Sequence, residues 1–273
     1  MGRYFVNLKT AYGMLHSALD VPTGDISLAQ FTRAVLPVGQ QLVDLMETAY
    51  MNAGRPASCA KGCAACCRQE IPISAPEALV LAEYAASMPD GDRMRVSAGF
   101  AAIREHVRAT GTGGQDLPGG TAAADVRAQG LAWFKQGLAC PFLKDEACTA
   151  YASRPFPCRN HIVYSPAAHC SDPGAGGVKA MNTRFSLSTI MALLAAEFMQ
   201  AEPLKLPLAG LEDWLRLNPE YGERRFPSAE LANRFLALLE DFCRRSFPAP
   251  KAAASATTAP VAAAAKSAVT PSA

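Results

Sequence analysis

The sequence lacks a strong excess of charge of either sign. Its 273 residues contain 26 Lys and Arg against 24 Asp and Glu, which gives a formal net charge of +2. Basic and acidic residues are interspersed, and this balance argues against a partner with a dense negative charge. We therefore expect no nucleic acid partner and no membrane partner, and nothing in the sequence indicates a particular protein partner.

Long hydrophobic runs are also scarce. The longest uninterrupted run, residues 190–196, is far shorter than the roughly 20 apolar residues that a membrane-spanning helix needs. Residues 1–20 carry Arg3 and Lys9 without a sustained apolar stretch behind them and without a convincing small-residue cleavage site. The sequence therefore predicts no signal peptide, and we expect a cytoplasmic protein.

The common catalytic motifs are missing as well. No Ser/His/Asp arrangement and no paired-carboxylate motif stands out in the sequence. The TGTGG segment that begins at Thr110 is not followed by the lysine and helix start of a phosphate-binding loop. Whether the chain is an enzyme stays open at this point.

What is present is a helical pattern of apolar residues. They recur every three or four positions in residues 25–51, which we expect to begin with Asp25 as the N-cap. Pro37 predicts a kink or two abutting helices within this segment. A short strand is expected at His161 to Tyr164. Further helices are predicted over residues 77–87, 92–109, 121–136, 186–199 and 228–245.

These segments predict a mainly α fold, a single helical domain with an irregular cysteine-rich metal-binding centre. Half of the residues are hydrophobic and 18% are charged, which is typical of a globular chain. We expect an N-terminal arm over residues 1–24 and the domain, with a helical C-terminal extension, over residues 25–245. Residues 246–273 are dominated by Ala, Pro, Ser and Thr, with no large apolar side chain to bury, and are predicted to be a disordered tail.

The chain has nine cysteines, and eight of them fall in two groups. In a reducing cytosol, clustered thiols more often bind metal or do redox work than form structural disulfides. The short spacings of the first group bring its four sulfurs together whether the segment is a helix or a loop. The ninth cysteine, Cys243, lies on the apolar face of the last predicted helix and is expected in the core. The first group is Cys59, Cys63, Cys66 and Cys67, and the second is Cys140, Cys148, Cys158 and Cys170.

The spacing leaves the identity and number of the metal centres open. Zinc and iron–sulfur clusters both accept four thiolates. Two four-thiolate sites would use all eight cysteines, and one cluster with additional thiols nearby fits equally well. More than four clustered cysteines and the adjacent Cys66 and Cys67 favour an iron–sulfur cluster or iron, with zinc as the alternative.

Several neighbours of the second group are candidate binding residues. Arg154 and Arg159 flank Cys158 and are candidates to bind an anionic cofactor or substrate, because guanidinium groups suit carboxylates and phosphates. A salt bridge or a clamp on loop carbonyls is the alternative. Tyr151 is predicted to be a packing residue, and His161 and His169 to be ordinary loop histidines.

The cysteine pattern resembles a known family. Three motifs carry the resemblance: CxxxCxxCC from Cys59, CPFL at Cys140, and C-x2-Y-x2-RP-x2-CR from Cys148 to Arg159. Together they resemble the YkgJ-type zinc- or iron-chelating domain. One branch of that family is similar to flagellin lysine methylases. This chain differs from the simplest members in its long insertion between the cysteine groups and its helical C-terminal third. The resemblance implies metal chelation by Cys59, Cys63, Cys66, Cys67, Cys140, Cys148 and Cys158.

The predicted function is therefore a cysteine-rich metal-binding protein that chelates zinc or iron, or an iron–sulfur cluster, through thiolates. Cys170, the last cysteine of the second group, is added as an eighth candidate ligand. The alternatives are a cluster-dependent enzyme, which could resemble the lysine methylases, and a metal carrier.

Overall fold

The computed structural model describes residues 1–60, 62–112, 123–182 and 186–246, with only the backbone described for residues 123–126. Helices dominate these ranges and there is little sheet, which confirms the predicted mainly α fold. All but one residue of the predicted tail lies outside the described residues, as does most of the glycine-rich segment from Thr110 to Gly120. The division of the chain into domains stays a prediction.

The helices are numbered in chain order. They are α1 (Leu28–Asn52), α2 (Ala75–Ala86), α3 (Asp90–Thr110), α4 (Ala123–Phe134), α5 (Phe156–Asn160), α6 (Leu187–Met199), α7 (Leu211–Leu217), α8 (Glu220–Glu223) and α9 (Ser228–Ser246).

The strands form four antiparallel pairs. Strand β1 (Gly2–Thr10) pairs with β2 (Gly13–Val21), and β3 (Asp25–Ile26) pairs with β8 (Phe226–Pro227). The other pairs are β4 (Pro72–Ser74) with β7 (Lys205–Pro207), and β5 (Leu143–Lys144) with β6 (Ala147–Cys148).

Helix α1 begins later than the sequence predicts. Ser27, not Asp25, is the N-cap, because the Ser27 hydroxyl accepts a hydrogen bond from the Gln30 backbone while the Gln30 side chain accepts one from the Ser27 backbone. This reciprocal pair satisfies two backbone donors of the helix start. Asp25 lies in β3 instead. Pro37 is inside one uninterrupted helix, so the prediction of two abutting helices is wrong.

Residues 2–21 form a long β-hairpin, which the sequence analysis did not predict. Side chains of β1 alternate between buried and exposed, with Val6 and Leu8 facing inward while Phe5 is 74% exposed. Leu19 and Val21 of β2 are fully buried. The hairpin packs against α1 and α9, so residues 2–21 are part of the main core.

The two largest apolar clusters of the described residues both include residues of the cysteine-rich segment 140–170. The larger one joins the hairpin, α1, α6 and α9, with Phe31 against Phe235 at 5.7 Å between ring centroids. The smaller one joins α2, α3 and residues 140–150, with Phe100 against Phe142 at 5.8 Å. Cys243 is 4% exposed within the larger cluster, which confirms its predicted place in the core.

The remaining predicted elements agree with the structure to within a few residues, apart from the strand. Helices α2, α3, α4, α6 and α9 match predicted segments. Residues 161–164 contain only an isolated bridge between Val163 and Ala180, so the predicted strand is wrong. In the described part of the chain, no helix combines the length and apolar character needed to cross a membrane.

Candidate metal centre

One pocket of about 700 Å³ gathers the two cysteine groups. Its apolar lining includes Val43, Leu81 and Phe142, and its polar lining includes Arg154 and His161. Cys243 is elsewhere, in the core. The cysteines that line the pocket are Cys59, Cys63, Cys66, Cys67, Cys140, Cys148, Cys158 and Cys170.

The first cysteine group lies on a loop that ends in a short 3₁₀-helix. Gly62 has φ +88°, a left-handed conformation that costs glycine little, and the Cys63 N–H donates to the Ala60 carbonyl at 3.0 Å. The 3₁₀-helix Ala65–Arg68 then places Cys66 and Cys67 on the pocket wall. This local geometry corresponds to the loop alternative of the sequence analysis, not to the helix alternative.

Cys140 and Cys148 reach the pocket from a tight hairpin. The Cys140 N–H donates to the Cys67 carbonyl at 2.8 Å, so the two cysteine groups are joined directly through their backbones. Strands β5 and β6 then return the chain, and Cys148 is paired with Leu143. Asp145 and Glu146 make the turn with φ of +50° and +54°, as a two-residue type I′ turn requires.

An ion pair also ties this hairpin to the first group. Arg68 Nη2 donates to Glu146 Oε1 at 2.8 Å, and this contact lowers the pKa of the Glu146 carboxyl. Arg95 supports the same hairpin from α3 by donating to the Pro141 carbonyl at 2.9 Å.

Cys158 is positioned by a buried carboxylate that the sequence analysis missed. The Phe156 N–H, at the start of α5, donates to Glu77 Oε1 at 2.7 Å, and Glu77 is only 2% exposed. Phe156 itself is 1% exposed. The available signal was the pattern Ser74-x-x-Glu77, which is typical of a capping box, but nothing in it indicates the contact with α5.

Cys170 also lines the pocket, and its thiol is near that of Cys59. The Val163 N–H donates to the Cys59 sulfur at 3.4 Å, and the Ser58 N–H donates to the Val163 carbonyl at 2.9 Å. The chain then forms the 3₁₀-helix Ala167–Ser171, which contacts the 3₁₀-helix Ala65–Arg68. Cys170 is 6% exposed, whereas Cys59 and Cys63 are exposed.

The environment raises the pKa of most of these thiols and lowers that of one. Burial raises the pKa of Cys140 to about 12 and also raises that of Cys158. The pKa of Cys66 is lowered, first because its sulfur accepts a hydrogen bond from Cys67, and Arg154 lowers it further. The pKa of Cys67 is raised by the same bond. The buried thiols therefore favour their neutral form unless a cation compensates the thiolate charge.

The two candidate arginines have different surroundings. Arg159 is held in place because its guanidinium donates to the carbonyls of Arg154 at 2.8 Å and Ala152 at 2.5 Å, and to the Gln40 side chain. Arg154 instead stacks on Tyr151, with its guanidinium carbon 3.8 Å from the ring centroid. Its buried Nε has no hydrogen-bond partner within the described ranges. Arg154, not Arg159, therefore offers a donor to a ligand in the pocket.

The two histidines near the second group also differ. His169 is exposed, and its Nδ1 is 2.9 Å from the Gly177 carbonyl oxygen. His161 lines the pocket, and its Nε2 is buried without a partner in the part of the chain that the structure describes. Burial lowers the pKa of His161, which favours the neutral imidazole. The expectation of an ordinary loop residue fits His169 better than His161.

The cysteine sulfurs line the pocket wall without meeting at one point. Among the described residues, no group of three or more His, Cys, Asp or Glu side chains stands close enough to hold one ion as placed. A cysteine sulfur changes position by rotation about χ1 alone. Binding an ion at this wall therefore requires the thiols to reorient.

The donor set itself fits a soft or borderline metal. Thiolates are the preferred ligands of zinc and of iron–sulfur clusters. The pocket supplies eight thiols, twice the number needed for one tetrahedral site. A pocket with this lining is what a cysteine-rich metal-binding domain requires.

Comparison with known families agrees with this chemistry. Residues 58–171 match the CxxCxxCC family, described as "Putative zinc- or iron-chelating domain". The matched segment contains all eight pocket cysteines, which confirms the resemblance recognised in the sequence and supports metal binding in general. No curated protein and no solved structure matches the chain.

Proposed function

We propose that this chain binds an iron or iron–sulfur centre, with zinc as the alternative, through the thiolates of its pocket. One observation carries the proposal. Eight of the nine cysteines come from two distant segments and line one pocket, while the ninth is buried in the apolar core. Packing alone does not explain why eight small thiols should be gathered around a single cavity. A reducing compartment such as the cytoplasm would keep them available for metal.

Anaerobic purification followed by elemental analysis and a visible spectrum tests this proposal. We expect stoichiometric metal in the purified protein, with visible absorbance if the metal is in an iron–sulfur cluster and no colour if it is zinc. Cys158→Ser should contain clearly less metal than the wild type, because Cys158 reaches the pocket from α5, which is held by Glu77.

Cys243→Ser is the matched control, since it removes a buried thiol that does not line the pocket. It should keep the wild-type metal content. Equal metal loss in both variants, or metal content unchanged in Cys158→Ser, would contradict the proposal.

A second candidate function, an enzyme that uses the metal centre, is favoured by Arg154, whose buried Nε has no hydrogen-bond partner among the described residues. The pocket volume of about 700 Å³ is in the range of small-molecule sites, roughly 300–1,000 Å³. A guanidinium with a buried, unpaired N–H is suited to an anionic group such as a carboxylate or phosphate. We propose that such a ligand would bind between Arg154 and the metal centre.

Titration of the metal-loaded protein with citrate and with inorganic phosphate, followed by calorimetry, tests this candidate. Arg154→Gln should keep its metal and weaken anion binding at least tenfold. Arg104→Gln, which removes an arginine paired with Asp213 away from the pocket, should bind the anion normally. No binding of either anion to the wild type would count against an enzyme of this kind.

A further inference from the structure

We propose that the eight thiols form two metal sites, an inner one and an outer one, each able to bind one thiophilic cation such as Zn²⁺ with four sulfurs. The inner site consists of Cys67, Cys140, Cys148 and Cys158. The outer site consists of Cys59, Cys63, Cys66 and Cys170. This inference rests on the proposed function. It adds the number of bound ions and assigns each of the eight cysteines to one of two sites.

The backbone groups the inner thiols. The Cys140 N–H donates to the Cys67 carbonyl, and the β5–β6 hairpin returns Cys148 to the vicinity of Cys140. Both Cys140 and Cys148 pack against the smaller apolar cluster. Cys158 approaches from α5, which Glu77 holds through the Phe156 N–H. Two aromatic neighbours of these thiols, Phe142 and Phe156, are each only 1% exposed.

A different set of contacts groups the outer thiols. Ser58 and Cys59 bond to the backbone of Val163, and the chain that follows Val163 leads into the 3₁₀-helix with Cys170. That helix contacts the 3₁₀-helix of Cys66. Cys63 is in the turn that joins Cys59 to Cys66.

Cys66 and Cys67 are adjacent in the 3₁₀-helix Ala65–Arg68 and lie at the boundary between the two sets. The Cys67 carbonyl accepts the hydrogen bond from the Cys140 N–H, and the same 3₁₀-helix contacts the 3₁₀-helix that carries Cys170.

Coordination number favours two sites over one. A tetrahedral cation takes four thiolates, so a single ion would leave four thiols of the same pocket without a metal. Assigning the adjacent Cys66 and Cys67 to different sites gives each site exactly the four ligands it needs, drawn from both cysteine groups. Two of the outer thiols, Cys59 and Cys63, are exposed, whereas all four inner thiols are half-buried, and the outer site is completed by the half-buried Cys66 and the buried Cys170. The outer ion should therefore exchange faster than the inner one.

Native mass spectrometry of the metal-free protein titrated with Zn²⁺ tests this inference. The wild type and Cys243→Ser should each bind two ions. Cys59→Ser and Cys170→Ser should each bind one ion tightly, and Cys148→Ser should also bind one. Cys59→Ser combined with Cys148→Ser should bind none tightly. With a competing chelator, the wild type should lose one ion at least tenfold faster than the other.

The outcomes separate the two proposals. No metal in the anaerobically purified protein, together with no Zn²⁺ bound to the metal-free protein, would overturn the proposed function itself. One ion in the wild type, or two ions retained in Cys59→Ser, would overturn only the two-site inference. Cys59 is exposed, so its substitution should leave the fold intact even if Cys170→Ser, at a buried position, fails to fold. Circular dichroism of each variant checks this.

Discussion

At the scale of single residues, Glu77 connects the fold to the metal centre. Its carboxylate accepts hydrogen bonds from the Ser74 N–H and hydroxyl, both at 2.7 Å, from the Phe156 N–H at 2.7 Å and from the Ser188 hydroxyl at 2.6 Å. These donors belong to the start of α2, the start of α5 and the first turn of α6. A single buried carboxylate thus fixes the position of the helix that carries Cys158.

Glu77→Ala should destabilise the protein by about 3 kcal/mol or more, because it leaves several buried donors without an acceptor. Urea unfolding measures the loss. Glu105→Ala is the matched control, since Glu105 is on an exposed face of α3 and pairs with the exposed Arg108. It should change the free energy of unfolding by less than about 0.5 kcal/mol. Equal costs for the two variants would contradict the role given to Glu77.

The site residues show how far sequence reasoning reaches at this scale. Cysteine spacing was sufficient to select the eight thiols that the structure places around one pocket, because candidate metal ligands can be recognised from residue type and local spacing. It could not distinguish Arg154 from Arg159. The two arginines differ in which backbone carbonyls lie near their guanidinium groups. The Arg159 guanidinium donates to the carbonyls of Ala152 and Arg154, and these carbonyls are near it only in the folded loop.

At the scale of elements, the N-terminal hairpin is part of the core and should be essential to stability. Leu19 is fully buried between the hairpin and the helices, whereas Phe5 is on the outer face and 74% exposed. Leu19→Ala should cost about 2–5 kcal/mol, through lost burial and the cavity left behind. Phe5→Ala removes a larger side chain but should cost less than about 1 kcal/mol. Thermal unfolding followed by circular dichroism compares the two, and similar losses would contradict this packing.

The long helices were predictable, and the hairpin was not, for physical reasons. Helices α6 and α9 carry apolar stripes over several turns, and such a repeated pattern is a strong signal. In β1 the alternation of Val6 and Leu8 with polar neighbours is short, and the outward-facing Phe5 weakens it. The turn at Ala11 and Tyr12 also lacks the Asn-Gly or Asp-Gly pair that most clearly indicates a two-residue hairpin.

The start of α1 shows a second limit of structure prediction from the sequence. Asp25 and Ser27 are both favourable N-caps by residue type. The pairing of Asp25 with Pro227, in a strand from the far end of the chain, removes Asp25 from the helix. A contact between residues so distant in sequence cannot be read from a local pattern.

At the scale of the whole molecule, the candidate metal centre lies between two regions that differ in regular structure. Residues 138–182 contain only short helices and strands, whereas α1, α6 and α9 are long and share the main core. Chelation of the metal should therefore release residues 138–182 first, because thiolate coordination and folding are coupled in irregular segments. The long helices should remain.

Limited proteolysis and circular dichroism, before and after treatment with a chelator, measure this difference. We expect new cleavage between residues 138 and 182 and a loss of less than about a fifth of the helical signal, since the main core is held by apolar burial. Complete unfolding on chelation would show that the helical core depends on the metal. Unchanged protection of residues 138–182 would show that the loops are ordered without it.

The hydrogen bond between the Cys140 N–H and the Cys67 carbonyl brings together the two ends of the segment 68–139. An ion shared by Cys67 and Cys140 would tie the two ends of a loop of roughly 70 residues, which in the chain-entropy treatment of crosslinks is worth about 4 kcal/mol. That contribution would act on the unfolded chain, by restricting the conformations open to it. The ion would then contribute to the stability of the helices within this loop, α2, α3 and α4, although most of their residues do not contact it.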